Sequence, residues 1–140
     1  MFKWTVCDPL VEKVIEKGVI SREAILPAFR DFPWTSMLAK MGAAKERDIH
    51  FSPSVGFTNV EDGHALEISI VDDGKETVFY LFYKESATDT AASDLLDQSA
   101  EATIEILGEF SAGHYDLIRE QFGAKGRLVP SGQKPWWKLW

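Results

Sequence analysis

The sequence predicts an α+β domain: N-terminal helices, a three-stranded antiparallel meander, then two C-terminal helices, with the helices packed on one sheet face. Three observations predict it. Ile49, Phe51, Pro53, Val55 and Phe57 recur at every second position, the period of a strand. Two turn signals, Asp62-Gly63 and Asp72-Asp73-Gly74, divide the middle of the chain into strands at about 49–60, 65–72 and 77–85. On either side, apolar residues recur at three- and four-residue spacing, with capping residues at the ends.

At the N-terminus Phe2, Trp4 and Val6 alternate with Lys3, Thr5 and Cys7, which reads as a short strand. The stretch 8–18 reads as a helix. Asp8 is placed to cap it, Pro9 suits the first helical position, Leu10, Val11, Val14 and Ile15 share a face, and Gly18 ends it. Ser21 caps a second helix that contains Pro27, and residues 33–47 form a third, presenting Met37, Leu38 and Met41.

In the meander, a two-residue loop at Asp62-Gly63 sets Phe57 opposite Ile68 and Val55 opposite Ile70, so that apolar meets apolar. The third strand is apolar at every position from Val78 to Phe82, the pattern of a strand buried on both sides. It is therefore expected to be internal, with the stretch 126–129 or the N-terminal strand on its far edge. The length of the second turn decides which face Phe79 and Tyr80 occupy.

A helix is expected from about 91 to 110, with Leu95, Ser99, Ala102, Thr103, Ile106 and Phe110 on one side. Asp94, Asp97, Glu101, Glu105 and Glu109 line the opposite side. Ser111 reads as the cap of a last helix at about 112–122, closed by Gly123. The whole of 1–140 reads as a single domain, with 123–140 as a tail holding one short strand and a docked segment at its end.

Composition narrows the function. The formal net charge is −7, and residues 86–122 alone carry eight acids against one base. Such a chain repels phosphate backbones, which argues against nucleic acid as a partner. A single cysteine, Cys7, makes no internal disulfide and fits a reducing compartment. With no secretory leader pattern and no apolar run long enough for a membrane span, a cytoplasmic protein without a membrane partner is expected. His50, His64 and His114 are scattered and no metal-ligand spacing accompanies them, so neither metal nor cofactor is expected. Ser111, His114 and Asp116 have the residue types of a hydrolytic triad but crowd one short stretch, where capping suits Ser111 better.

Three surfaces remain. The acidic stripe Asp94, Asp97, Glu101, Glu105, Glu109 repels itself at four-residue spacing and suits a basic partner. A small polar sheet face, with Ser54, Thr58, Glu67 and Ser69 and with Tyr80 or Tyr83 as a wall, suits a ligand groove. The terminal KPWWKLW places Trp136, Trp137 and Trp140 with Leu139 on one side of a helical turn, opposite Lys138. Three exposed tryptophans are more apolar surface than a monomer usually leaves in water, so the segment is expected to dock on its own core, a dimer mate or a partner.

The leading expectation is a non-enzymatic protein-binding protein that uses the acidic stripe, the tryptophan tail or both. By analogy of class alone, it is similar to the small acidic α+β bacterial immunity proteins, which neutralise toxins by binding them. The alternatives are a small-ligand-binding protein or enzyme using the sheet-face groove, and a structural homodimer subunit joined at the third strand or the tail.

Overall fold

The computed structural model describes residues 1–72, 75–86, 91–125 and 127–130. Its centre is one antiparallel sheet of seven strands: β1 (Phe2–Cys7), β2 (Ile15–Ile20), β3 (Ser54–Asn59), β4 (Ala65–Asp72), β5 (Thr77–Lys84), β6 (Ala91–Gln98) and β7 (Arg127–Pro130), in the spatial order β2-β1-β3-β4-β5-β6-β7. Helices α1 (Arg22–Asp31) and α2 (Trp34–Ala43) lie between β2 and β3 in the chain, and α3 (Ala100–Ser111) and α4 (Tyr115–Lys125) lie between β6 and β7. The α+β class holds. The three-stranded meander headed by helices does not: the sheet has seven strands, with β1 and β7 answering the short strands expected at the N-terminus and in the tail, and β2 and β6 formed by stretches expected to be helical.

The first correction concerns residues 8–18. They form no helix; they make the loop and second strand of a hairpin. Asp8 caps a turn instead: its Oδ1 accepts from Leu10 N–H at 2.9 Å, and its carbonyl accepts from Val11 N–H at 3.2 Å. Its other oxygen binds Lys40 Nζ at 2.6 Å, tying the loop to α2. Gly18 stays a punctuation point, now with φ +95 where β2 gains an extra residue opposite Trp4 and Thr5. That bulge needs the left-handed backbone glycine tolerates. Pairing with β1 outweighs the helical spacing, since local propensity is worth only tenths of a kcal/mol per residue, ~0.5.

Ser21 does precede α1, with Pro27 inside it, and α2 falls in the expected third helix. The expected strand 49–60 shrinks to β3. Residues 49–53 run past the sheet end, where Ile70 N–H donates to the Pro53 carbonyl at 3.2 Å and Ser52 Oγ to the Ile70 carbonyl at 3.1 Å. The β3–β4 register differs from expectation by two residues: Val55 faces Ile68 and Phe57 faces Leu66. The loop is longer because side chains build it. Asn59 Oδ1 accepts from Glu61 N–H at 2.9 Å, and Asp62 Oδ1 accepts from His64 N–H at 3.0 Å. A two-residue shift returns each side chain to the same face, so apolar still meets apolar.

β5 is internal, as its sequence implies, but its far neighbour is β6. β6 comes from the first half of the expected helix 91–110, which is the second correction. Ser99 starts the real helix there, its Oγ accepting from Ala102 N–H at 3.1 Å. Before Ser99, Leu95 pairs with Leu81 and Asp94 with Phe82, and Asp97 takes φ 57 where the register shifts. Ser111 does not cap the last helix. It ends α3, donating its Oγ to the Gly108 carbonyl at 2.9 Å, while the His114 carbonyl receives Leu117 and Ile118 N–H. Gly123 lies inside α4 rather than closing it. Of the tail, 127–130 form β7 against β6, while Trp136, Trp137 and Trp140 lie outside the described residues.

All strand residues in the hydrophobic core project from one sheet face: Phe2 and Val6, Val55 and Phe57, Leu66, Ile68 and Ile70, Phe79, Leu81 and Tyr83, and Leu95. Helix residues Ile25, Phe29, Ile106, Leu107, Phe110, Ile118 and Phe122 complete the same cluster. The helices therefore gather on that face. No described helix is long and apolar enough to cross a membrane.

Candidate functional site

The other sheet face supplies no residue to that core. Beyond the outer pair Val71 and Val78, the ladders arrange it in three cross-strand rows. Cys7, Ser54, Ser69 and Tyr80 form the first, and Thr5, Gly56, Glu67, Phe82 and Asp94 the second. Lys3, Thr58, Ala65 and Lys84 form the third. Directly opposed side chains in such rows stand about 5 Å apart. The strand alternation predicts this grouping, and Ser54, Thr58, Glu67, Ser69 and Tyr80 do share one face. Tyr80, not Tyr83, belongs here; Tyr83 is turned into the core.

Burial varies across the face. Cys7, Ser54, Ser69 and Asp94 are buried, Tyr80, Phe82, Thr58 and Lys84 are half-buried, and Glu67 near the centre is open to solvent. Gly56 keeps the floor low beside Glu67: a Cβ there would meet Thr5 Oγ1 at 3.0 Å, tighter than normal contact. The result is a floor of hydroxyls and glycine edged by two aromatic rings, with one accessible carboxyl.

The electrostatics follow from that setting. The surrounding protein desolvates the Glu67 carboxyl and pushes its pKa above the usual carboxylate range, against a hydrogen bond with Ser54 and the charge of Lys84. The Glu67 side chain keeps an exposed side, so water screens part of that shift. Burial likewise pushes the Cys7 thiol up, with a Ser54 hydrogen bond opposing and the Glu67 charge adding to it. Cys7 is therefore held as a thiol, a poor nucleophile. Ser54 bonds with both groups and links them.

A second polar cluster sits where the β3–β4 loop meets α4. His64 and Tyr115 stack with ring centroids 3.7 Å apart, and His64 Nδ1 lies 2.6 Å from the Tyr83 hydroxyl. Tyr115 donates to Asp62 Oδ2 at 2.8 Å and accepts from Asn59 Nδ2 at 3.1 Å. Burial, then the Asp62 bond, pushes the Tyr115 phenol up to about 12, and burial raises Tyr83 further. Both phenols keep their protons; Tyr115 donates to Asp62, while the imidazole tautomer sets the direction of the His64–Tyr83 bond. Sequence spacing could not find this cluster, since its members come from 59–64, 83 and 115; the Asn59 and Asp62 turn residues are its only local signal. Every described partner in it is satisfied, so it fastens the loop to α4.

The acidic stripe comes apart. Asp94 is 2% exposed on β6 and Asp97 sits at the β6 irregularity, so neither shares a helix with Glu101, Glu105 and Glu109. Glu109 bonds His114 Nδ1 at 2.7 Å. Among the described residues no group of three or more His, Cys, Asp or Glu is placed to hold a metal ion. No protein-family model, curated protein or solved structure matches this chain.

Proposed function

We propose that this chain is a non-enzymatic binding protein that takes a small ligand on the sheet face opposite the described helices. The observation that carries the reading is the second cross-strand row: a glycine, an accessible acid with a raised pKa and a half-buried aromatic ring stand side by side on a rigid sheet. Convergent polar groups beside aromatic walls are what ligand sites offer. The ligand would lay a flat apolar part against Phe82 and Tyr80 and direct a hydrogen-bond donor to Glu67. Binding suits the site better than covalent chemistry, because the nearby Cys7 is kept protonated. The basic-partner reading retains only Glu101 and Glu105 as free-standing support on α3, too few for a strong field.

Fragment screening by amide-resolved NMR tests the proposal. Hits should shift resonances of Ser54, Thr58, Glu67, Ser69 and Phe82 together, and Glu67→Gln should weaken those that carry a donor. Hits that cluster on the helical layer, with this face silent, would dismiss it.

A further inference from the structure

Seven large apolar side chains are exposed among the described residues, and four of them, Leu10, Val11, Val14 and Val19, lie within the β1–β2 loop and β2. Apolar and charged residues are interspersed along this stretch, yet the domain's own core does not take up these four. β2 is also the end strand of the sheet, paired with β1 and with no described strand on its other side. One margin of the molecule thus combines a row of outward backbone N–H and C=O groups with apolar side chains left in water.

Edge strands are usually guarded by projecting charge, often lysine. Here Lys17, in the bulge, lays its Nζ 5.7 Å over the Trp4 ring, so its charge lies back on the sheet. The local charge is balanced as well. Between residues 10 and 20 the charged residues are Glu12, Lys13, Glu16 and Lys17, two of each sign, in a chain of net −7. Two copies of so acidic a chain repel over most of their surface, but this margin carries no net charge. With Val14 of one copy opposite Val19 of the other, Glu16 of each copy meets Lys17 of its mate, whose ammonium swings from the Trp4 ring to the edge.

We propose that the free edge of β2 joins two copies of this chain, antiparallel, with Val14 and Val19 at the centre of the contact. The joined sheet closes the open backbone row and removes the exposed valines from water. This interface uses none of the residues invoked for the ligand, although Val19 borders the same face beside Lys3.

Sedimentation of the full chain over about 1 µM to about 1 mM, the range of modest self-association, tests it. The wild type should move from one chain mass, 15.7 kDa, toward twice that value. Val19→Glu, which faces Lys3 across the hairpin and so keeps a favourable neighbour, should hold the single mass with an unchanged melting curve. Hydrogen exchange on the wild type gives a reading that needs no variant: β2 amides should gain protection as concentration rises. A single chain mass throughout, or concentration-independent β2 exchange, overturns the proposal, as does a folded Val19→Glu that associates like the wild type.

Discussion

On the helix-covered face of the sheet, the cross-strand neighbours Val55, Ile68, Leu81 and Leu95 are all 1% exposed or less. One residue along the same strands, on the opposite face, the neighbours are Gly56, Glu67, Phe82 and Asp94. The backbone is shared, so the difference is one of side chains alone. The first row is closed by Phe110, Ile118 and Phe122 from the C-terminal helices, and hydrophobic burial fixes its register. The second row is freer of that demand, since of these four neighbours only Asp94 is buried. A glycine, an acid and a half-exposed ring would cost stability in the core; here they do not, and the face can hold residues chosen for contact with something else.

The largest effect is expected from making the same kind of deletion on each face. Phe110 is fully buried and packs on Phe2 and Tyr115, with centroids 5.8 and 6.1 Å away. Phe110→Ala should cost about 3–5 kcal/mol in urea unfolding, the range for a fully buried aromatic. Phe82→Ala removes an equal volume from the open face and should cost less than half as much, while abolishing fragment binding there. Equal losses from the two variants would mean that the second face is core in disguise.

A smaller effect is expected at the loop whose apolar spacing mimics a helix. Asp8 is desolvated, which alone would raise its pKa, but the bonds from Lys40 and Leu10 N–H hold the carboxyl below its usual range. A lowered folded-state pKa means that its contribution is complete above the unfolded aspartate range and drains as pH falls through the folded value. Asp8→Asn should therefore lose about 1.5 kcal/mol at neutral pH, the low end for a charge-assisted bond because Lys40 is half-exposed and its charge is screened. The gap to wild type should narrow in acid. A gap that stays constant with pH would assign the loss to the turn geometry and not to the ion pair.

These residues also mark what the sequence discloses and where it stops. The β3 and β4 faces were legible because alternation encodes them; the faces of β5, apolar throughout, were not, and pairing with β4 sets Phe79 in the core and Tyr80 on the opposite face. The exact loop was not, because Asn59 and Asp62 lengthen it through side-chain bonds that a two-residue turn signal does not contain. Residues 8–18 and 91–98 misled for one reason. Their apolar spacing fits a helix as well as a strand, and only long-range pairing, with β1 in one case and β5 in the other, decides between them. With residues 91–98 went the acidic stripe, whose five members need an unbroken helix through Ser99. The sheet-face residues survived because a face is set by parity, which a two-residue register error leaves intact.

The least effect, and the most specific, belongs to Glu67. Its folded-state pKa is raised by the protein around it, so the charged form is the disfavoured one. A raised value stabilises the fold below the unfolded glutamate range and loses that contribution as pH rises through the folded value. Above the unfolded glutamate range Glu67 is therefore a burden on the fold, and Glu67→Gln, which keeps the shape and a partner for Ser54, should melt higher than wild type at neutral pH. In acid, where Glu67 is protonated in both states, the two proteins should melt together. Thermal melts across that pH range separate the two faces in one experiment. A structural carboxylate would make the variant weaker at neutral pH, whereas an acid kept for a ligand makes it stronger and emptier.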